Sequence, residues 1–570
     1  MAALPAEIVG FDPGRYLCYD EMTHFLESCA AVFPGLCSLT EIGRSPEERS
    51  VWAVTLTNRE TGADALKPGY LIDAVTHAGE LTGGAAALYA VWWLLTRYGA
   101  DTKATELLDT RAFYAIPRVA VDGAEAYLST PHMFRSSPRR YPETDDPPGL
   151  VAEDVNGDGM ILLMRLRDPN GDWKADEQDE RLLVRRRPED RGGQYFRVFS
   201  EGVLRDWDGR TITPAPSPWR LDFNRNYPAF WHPECKQPGA GPYPLSEPET
   251  RAVARFLVDH PNIGAYVAFH TTGEVLLRPP SHGTDDKIPA ADLEVFRRIG
   301  DLCTRITGAP CKSTYDAFHY PGQEALVKGA DDWAYEHWGV QAYTFELWNP
   351  DLRSGGQGYA QIGLKGLLAR APGEEAEAQR RLLAWNDREL EGQGFIPWTP
   401  FVHPQVGPVE IGGWDWKRSL QNPPEGPLLV EEVTKAAAFV VEHALATPRL
   451  ALALTAESVG DGLYKLSACV RNLGGLATNV TQQALAMKTA RPIEVRLEGD
   501  VVVLGGKEKQ EIDHLEGWAT AGGRAARSEA WVDWLVQAAA GARVRVTAAT
   551  PRAGTALAGL VLPKAGEEPW

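Results

Sequence analysis

Short, continuous apolar runs alternate along much of the chain with longer segments whose apolar positions recur at helical spacing. Continuous runs of strand length that are bounded by turn residues are typical of buried strands, and a three-to-four-residue spacing is typical of helices. The predicted strands cover residues 51–57, 69–76, 112–117, 265–269 and 342–347. The predicted helices lie within residues 13–40, 85–98, 246–257, 289–307, 364–400 and 427–446.

The pattern changes beyond Pro448. Short strands separated by Gly, Asn and Asp replace the alternation of strands and helices, and no motif for chemistry occurs among them. A series of this kind is typical of an all-β sandwich. We therefore predict a larger domain over residues 1–447 and a small β-sandwich domain over residues 448–570. The predicted strands of the second domain cover residues 450–454, 464–470, 493–497 and 542–547.

Residues 141–218 interrupt the pattern of the larger domain and are rich in Pro, Gly, Asp and Arg, so we predict an insertion of loops and short strands. Within it, Asp154, Asn156 and Asp158 follow the Asp-x-Asn-x-Asp-Gly start of a calcium loop. Arg165 stands where an EF-hand has its bidentate Glu, which argues against a full EF-hand. Two interpretations remain: a calcium loop closed by another acid, such as Asp172, or a metal-free Asn-Gly/Asp-Gly turn.

Composition narrows the class of protein. The formal net charge of −19 argues against a general nucleic-acid binder, which needs a basic surface. No apolar run reaches membrane-spanning length, and the first residues lack the basic and apolar regions of a signal peptide. The seven cysteines are odd in number and show no zinc-finger spacing. We expect a soluble, cytoplasmic, bacterial-type protein with reduced thiols, and the sequence leaves its oligomeric state open.

Candidate chemistry begins at the end of the strand that starts at Gly69. His77 ends this apolar run, Glu80 follows three residues later, and a long apolar helix comes next. At such a turn one imidazole nitrogen and one carboxylate can point at the same place, which supplies two of the three protein ligands of a catalytic zinc. The spacing alone is weak, since a surface pair or a satisfied buried histidine gives the same tetrapeptide.

Two later strands strengthen the metal interpretation. His270 ends a second apolar strand, and Glu346 lies inside an apolar run in a third. A buried glutamate needs a partner or a purpose. Together with His77 and Glu80, these residues are suited to a zinc site with a general base beside it.

These motifs, with the run from Asp222 to Tyr227 between them, resemble those of the zinc metallocarboxypeptidases, the funnelin family. The resemblance covers roughly residues 10–447 and implies an α/β fold with a mixed eight-stranded sheet flanked by helices. It implies that His77, Glu80 and His270 bind one zinc ion and that Glu346 is the catalytic glutamate. It further implies that Asn224 and Arg225 hold the free carboxylate of the substrate, where the other interpretation is a turn with a surface arginine.

Two further family features align less cleanly. The family has an arginine that polarises the scissile carbonyl, and Arg135 and Arg139 both lie in the matching segment. We favour Arg139, although a solvated basic cluster would have the same sequence. Tyr320 is the candidate for the mobile tyrosine that covers the substrate in the family.

The run that starts at Ala330 is similar to the sequence of carboxypeptidase B-type enzymes. In those enzymes the first Asp of the pair binds a Lys or Arg side chain at the base of the specificity pocket, and Asp331 matches it, with the same separation from Glu346. A carboxylate in an apolar pocket prefers a cationic group. The other interpretation is that Asp331 only caps the helix that follows.

The sequence therefore predicts a zinc-dependent metallopeptidase that removes the last residue of a peptide, with basic C-terminal residues preferred. In this scheme Glu346 takes a proton from the attacking water and passes it to the leaving amine. One alternative is an amidohydrolase, for example a deacylase or an enzyme acting on peptidoglycan-type peptides, whose small or non-protein amide substrate carries a free carboxylate. A more remote alternative is an inactive binding protein on the same scaffold.

Overall fold

The computed structural model describes residues 8, 10–142, 147–318, 329–519 and 527–563. The α-helices of more than three residues among them are α1 (Tyr19–Val32), α2 (Leu81–Arg97), α3 (Thr102–Thr110), α4 (Val121–Ser129), α5 (Pro248–Asp259), α6 (Ala290–Thr307), α7 (Thr314–Phe318), α8 (Ala330–Trp338), α9 (Pro350–Arg353), α10 (Tyr359–Leu368), α11 (Pro372–Glu389), α12 (Pro427–Ala446) and α13 (Gln482–Ala486), and Trp416–Leu420 forms a π-helix.

The strands fall into three groups along the chain. The first ten are β1 (Cys37–Arg44), β2 (Ser50–Leu56), β3 (Gly69–Ala74), β4 (Ala112–Ile116), β5 (Gly149–Ala152), β6 (Leu163–Arg167), β7 (Trp173–Ala175), β8 (Leu183–Arg185), β9 (Tyr195–Ser200) and β10 (Gly202–Arg205). The next six are β11 (Ile263–Thr271), β12 (Val275–Arg278), β13 (Cys311–Ser313), β14 (Gln341–Leu347), β15 (Phe395–His403) and β16 (Gly407–Trp414). The last eight are β17 (Leu450–Gly460), β18 (Leu463–Asn472), β19 (Ile493–Gly499), β20 (Val502–Gly505), β21 (Lys509–Ile512), β22 (Glu529–Gln537), β23 (Arg543–Thr550) and β24 (Gly554–Val561).

An eight-stranded mixed sheet forms the centre of the larger region, in the order β1-β2-β4-β3-β11-β14-β12-β13. Its central strands β4, β3, β11 and β14 are parallel. Every residue of β3 and β11 is buried, as expected for parallel strands covered by helices on both faces. The helices α2 and α12 pack on one face, whereas α5 and α8 pack on the other. The predicted α/β fold with a mixed eight-stranded sheet is confirmed.

This topology decides where the site can form. Because parallel strands end at the same edge of a sheet, the residues that follow or end β3, β11 and β14 come together there. His77 follows β3, His270 is the penultimate residue of β11, and Glu346 is the penultimate residue of β14. His270 and Glu346 are register partners in the parallel β11–β14 ladder.

A second sheet joins the segment at 141–218 to a hairpin far along the chain. Its order is β15-β16-β6-β9-β7-β8. Strands β5 and β10 of the same segment form a separate two-stranded antiparallel sheet. The predicted short strands of residues 141–218 therefore form, but they pair with β16 rather than only with one another. A small apolar cluster that includes Met164 and Ile411 holds the two parts together.

Beyond α12 the chain is built from two four-stranded sheets, β17-β18-β22-β20 and β21-β19-β23-β24. Side chains alternate between buried and exposed along β22, and the inner faces share one apolar core that includes Leu466, Trp534 and Val546. The predicted all-β architecture is confirmed, while the domain boundary at 447/448 stays a prediction. Among the described residues, no helix combines the length and the apolar character needed to cross a bilayer.

Candidate active site

The turn between β3 and α2 places two donor groups side by side. β3 ends at Ala74, Val75 has a positive φ of 56°, and α2 begins at Leu81. His77 Nδ1 lies 2.7 Å from Glu80 Oε1. The turn therefore brings an imidazole and a carboxylate together, as the His-x-x-Glu spacing predicts.

His270 completes the cluster from β11. Its Nδ1 lies 2.8 Å from Glu80 Oε2 and 3.1 Å from His77 Nδ1, and all three residues are buried. Among the described residues, they form the one group of three or more His, Cys, Asp or Glu that could hold a metal ion. Tetrahedral zinc with bonds of 2.0–2.1 Å has ligand atoms about 3.3 Å apart. The residues present therefore fit zinc.

A carboxylate beyond the cluster orients the first histidine. Asp222 Oδ1 lies 3.1 Å from His77 Nε2 and accepts a hydrogen bond from its N–H. The Nδ1 lone pair of His77 therefore faces Glu80 and His270. Although burial opposes ionisation, Arg135, Arg225 and His77 hold the pKa of Asp222 well below its usual range. No local sequence signal gives Asp222 a role, although it opens the run that contains Asn224 and Arg225.

The charge balance of the cluster also suits a cation. Burial opposes ionisation of Glu80, but His77 and His270 hold the pKa of its carboxyl below the usual range. The two Nδ1 atoms face each other across this carboxylate. An ion at the point where these three acceptors converge would satisfy all of them.

The structure brings Arg135, not Arg139, to the cluster. Arg135 Nε donates to Asp222 Oδ2 at 2.9 Å, and its Nη1 lies 3.7 Å from Glu80 Oε1. Its main-chain oxygen accepts from Ala78 N at 2.8 Å, which fixes the segment beside the turn. Arg139 is instead paired with Glu247. The preference for Arg139 is therefore wrong, because the Glu247 carboxylate binds Arg139 while Arg135 reaches Asp222 and Glu80.

Glu346 lies beside the cluster on β14. Burial and the Glu80 carboxylate raise the pKa of Glu346 to about 8, whereas His270 and Arg135 act in the opposite direction. As the register partner of His270 on the neighbouring strand, Glu346 lies next to a candidate ligand. Its role as general base stays a prediction.

Asn224 and Arg225 lie in a short 3-10 helix that Asp222 caps. Asp222 Oδ1 accepts from Asn224 N at 2.9 Å, and Arg225 Nη1 donates to the Asn224 main-chain oxygen. Asn224 Oδ1 accepts from Ala330 N at 3.1 Å, which ties this helix to the start of α8. The pair therefore lies between the cluster and the predicted specificity pocket, and its role in binding a carboxylate stays a prediction.

Asp331 lies within the first turn of α8 and is not its N-cap residue. Gly329 is the N-cap residue, and Asp332 Oδ2 accepts from Gly329 N at 3.1 Å, so Asp332 makes the capping contact. Asp331 is buried, which raises the pKa of its carboxyl, and its side chain contacts Thr344 of β14. Its carboxylate also accepts from main-chain N–H groups of Asp331 and Asp332 in the first turn of α8, so the helix-end interpretation and the pocket interpretation both stay predictions. Tyr320 lies outside the described residues.

The calcium prediction is not supported. Asp154 accepts from Gly157 N and Gly159 N, Asn156 Oδ1 accepts from Asp158 N, and Asp158 Oδ1 accepts from Met160 N. The side-chain oxygens expected to bind calcium thus receive main-chain amides of their own loop. Arg418 also donates to the Gly159 main-chain oxygen. The structure favours the metal-free turn that the sequence left as the alternative.

A segment after β16 supports the turn from outside. Asn422 Oδ1 accepts from Thr82 N and Oγ1 at 3.2 and 2.8 Å, and Asn422 Nδ2 donates to the Gly79 main-chain oxygen at 2.7 Å. The Leu420 main-chain oxygen accepts from Trp348 Nε1, two residues after Glu346. No local sequence signal marks Asn422, because its partners are about 340 residues away.

Comparisons with known proteins agree with this geometry. The family described as zinc carboxypeptidase matches residues 22–355, and a domain of unknown function matches residues 451–559. Human carboxypeptidase A6 is 25% identical over 344 residues, which are 59% of this chain and 61% of that protein. The match thus spans less than two thirds of that relative.

Two other matches likewise have low sequence identity and cover only part of this chain. Carboxypeptidase B of Astacus astacus is 25% identical over 337 residues, which are 58% of this chain and 86% of that protein. The solved carboxypeptidase A of Helicoverpa armigera is 16% identical and has a TM-score of 0.39, with 67% of this chain and 76% of that chain covered.

Proposed function

The chain belongs to the zinc carboxypeptidase family, and from that premise we propose that it hydrolyses the peptide bond before the last residue of a peptide. The observation that carries this proposal is the convergence of His77, Glu80 and His270 at the sheet edge beside Glu346. The remaining steps follow from the groups around this point.

His77 Nδ1, His270 Nδ1 and a Glu80 oxygen would hold the zinc ion. Bound there, zinc supplies Lewis acidity that makes water a better nucleophile at neutral pH. Asp222 keeps the His77 ring in the tautomer that presents Nδ1. Burial of all three ligands excludes bulk water from this point and strengthens its electrostatics.

Glu346 takes a proton from the attacking water and later passes it to the departing amine. A carboxyl whose pKa is raised suits both halves of this transfer, because it accepts a proton more readily than an ordinary surface glutamate. Arg135 donates hydrogen bonds to the oxygen of the scissile carbonyl as its negative charge develops. Its partly exposed side chain lies next to the cluster, where this oxygen has to sit.

Asn224 and Arg225 fix the position of cleavage. Arg225 can bind the free carboxylate of the substrate through two hydrogen bonds, and the Asn224 amide adds a donor. A substrate held by its terminal carboxylate presents its last peptide bond to the cluster. Cleavage then removes one residue at a time.

Asp331 sets a preference for Arg or Lys as that last residue. It is buried and takes part in no ion pair with the other described residues. A cationic side chain entering the pocket would let Asp331 ionise, which burial otherwise opposes. A neutral side chain would leave the carboxyl without such a partner.

The test is hydrolysis of blocked dipeptides that end in Arg, Lys, Phe, Leu or Glu by the zinc-loaded protein. We expect Arg and Lys to be released fastest, and Asp331→Asn to remove that preference while the other dipeptides are still cleaved. Fastest release of Phe or Leu would keep the reaction and overturn the role of Asp331. No cleavage of any dipeptide with zinc bound would indicate a small or non-protein amide substrate instead.

Glu346→Gln tests the mechanism separately. We expect kcat to fall by about 10²–10⁴-fold with zinc still bound at one ion per chain. Glu457→Gln changes an exposed residue of β17, in the β-sheets beyond α12. It is the matched control and should leave kcat unchanged. Near-normal turnover in Glu346→Gln would overturn the assignment of the base.

A further inference from the structure

A cavity of about 510 Å³ lies where the second sheet meets the segment that leads to Arg135. Its walls come from the ribbon and loops of the insertion, from residues 131–133 after α4, and from residues 414–418 after β16. The aromatic and apolar side chains among these include Met133, Trp219, Trp414 and Trp416. None of these residues has a part in the hydrolytic mechanism described above.

Two chain segments run from the wall of this cavity directly to the cluster. Met133 precedes Arg135 by two residues, and Trp219 precedes Asp222 by three. Since a residue spans at most about 3.3–3.6 Å, the wall lies within about 7 to 11 Å of the Arg135–Asp222 pair. The two segments also contact each other, because the Trp219 ring lies 4.7 Å from that of Phe134.

The residues between the cavity and the cluster alternate in exposure. Met133 is 47% exposed, Phe134 is 9% exposed, and the Arg135 side chain is 41% exposed. Phe134 turns inward between two neighbours that are exposed to solvent. Met133 therefore faces the solvent beside the Arg135 guanidinium, and a chain that leaves the cluster past Arg135 meets the cavity next.

On the premise of the proposed function, we propose that this cavity binds a bulky apolar or aromatic side chain of the substrate, two or three residues before the scissile bond. An enzyme that removes only the last residue leaves the rest of the peptide outside the specificity pocket. That remainder has to pass Arg135, and two extended residues span the distance to the wall. Exposed aromatic rings are suited to pack on an aromatic side chain.

The cavity also offers a polar group for the peptide main chain. His132 lines it, packs with its ring 4.8 Å from that of Trp219, and has a buried Nδ1 without a hydrogen-bond partner among the described residues. A buried polar atom without a partner is costly. A substrate amide at the wall would satisfy it.

The first measurement uses blocked pentapeptides of Gly with a common last residue, in which one Trp replaces Gly at each position in turn. We expect kcat/KM to rise about tenfold when Trp stands two or three residues before the scissile bond, and to change little when it stands farther away. Equal values at all positions would overturn the proposal.

Variants then locate the effect. Trp416→Ala should bring the ratio of kcat/KM for the Trp and all-Gly peptides close to one, and Trp416→Phe should restore part of it. Trp531→Ala, which removes an exposed tryptophan of β22, is the matched control and should keep the ratio. Met133→Ala is a second, independent change in the wall. A ratio unchanged in both wall variants would overturn the proposal.

Failure of this inference differs from failure of the proposed function. If blocked dipeptides and all pentapeptides are cleaved with similar kcat/KM, the reaction stands and the cavity has no part in it. If no peptide is cleaved by the zinc-loaded protein, the proposed function itself fails.

Discussion

The cluster of His77, Glu80 and His270 and the loop of Asp154, Asn156 and Asp158 both consist of side chains that can bind metal, but their acceptor atoms meet different partners. In the cluster, two imidazole nitrogens and a carboxylate face one another at 2.7–3.1 Å. In the loop, each carboxylate or amide oxygen that closes the turn accepts a main-chain N–H. Acceptors that face one another need a cation, whereas acceptors that face amides do not.

A third site shows that burial of a histidine is not sufficient. His443 is fully buried, yet both of its ring nitrogens have protein partners, Tyr70 Oη and Gln341 Oε1, each at 3.0 Å. His270 is equally buried, but its Nδ1 faces the Glu80 carboxylate at 2.8 Å and His77 Nδ1 at 3.1 Å, at the point where the three candidate ligand atoms meet. The partners of a polar group, rather than its type or burial, therefore distinguish a ligand from a structural residue.

Removing a ligand should have the largest effect. We expect His270→Ala to weaken zinc binding on the order of 100-fold, because the free energy of about 10–16 kcal/mol for four ligands corresponds to roughly 3 kcal/mol for each. Competition with a zinc chelator measures this loss. His232→Ala, which removes a partly buried histidine elsewhere, should bind zinc normally. Unchanged zinc affinity in His270→Ala would mean that the cluster is not the metal site.

We expect His443 to affect the pH dependence of stability and to leave zinc binding unchanged. Burial lowers the pKa of His443 to about 3, while an unfolded histidine has a pKa of about 6.5. The unfolded chain therefore binds a proton below pH 6.5 that the native protein takes up only near pH 3. The free energy of unfolding is therefore highest above pH 6.5 and falls as the pH drops from 6.5 toward 3. Between pH 7 and pH 5 this loss is about 2 kcal/mol.

Urea unfolding of wild type and His443→Gln at pH 7 and pH 5 measures that difference. The variant should lose about 2 kcal/mol less stability than wild type on going to pH 5. Zinc affinity at pH 7 should be the same in both proteins. An identical pH dependence would show that the pKa of His443 is the same in the folded and unfolded chains, so that burial does not shift it.

Asn422 tests whether the turn needs support from outside. We expect Asn422→Ala to weaken zinc binding about tenfold, because Gly79 and Thr82 lose the hydrogen bonds that hold the turn. Asn262→Ala is the matched control, since Asn262 is also buried and bonds to main-chain oxygens at the other end of β3. Both variants should melt at lower temperature. Equal zinc affinity in Asn422→Ala and wild type would reduce Asn422 to a structural residue.

The smallest effect should be that of calcium on the loop. Because the loop oxygens already accept amides, adding millimolar calcium should leave the melting temperature of the zinc-loaded protein unchanged. Asp154→Asn should cost about 1 kcal/mol of stability through the lost Gly159 bond, by the same amount with and without calcium. A calcium-dependent rise in melting temperature that Asp154→Asn removes would contradict the metal-free turn.

The parts of the site that the sequence predicts correctly are local. His77 and Glu80 are three residues apart on one turn, so strand, turn and helix signals suffice to bring them together. His270 and Glu346 end buried parallel strands, and the register of such strands leaves little freedom at their ends. The pattern of apolar runs likewise predicts the strands of the central sheet and the C-terminal β-sheets, while the mixed eight-stranded arrangement is implied by the family resemblance.

The parts that failed depend on the path of loops. Arg135 and Arg139 are four residues apart in an irregular segment, and only its fold shows that one reaches Asp222 while the other pairs with Glu247. The pairing of the insertion with β16 depends on a strand about 245 residues away. Loop composition does not determine such long-range partners.

By itself, the sequence determined the ligand types, the strands and turn that carry them, and the candidate general base, because hydrophobic periodicity and short spacings act over a few residues. Only the tertiary structure decided which arginine reaches the cluster, that Asp222 orients His77, that Asn422 holds the turn, and that the Asp154 loop satisfies itself. The physical reason is that each of these depends on which residue is the hydrogen-bond partner. Distant segments that pack together supply that partner, so residue spacing along the chain does not determine it.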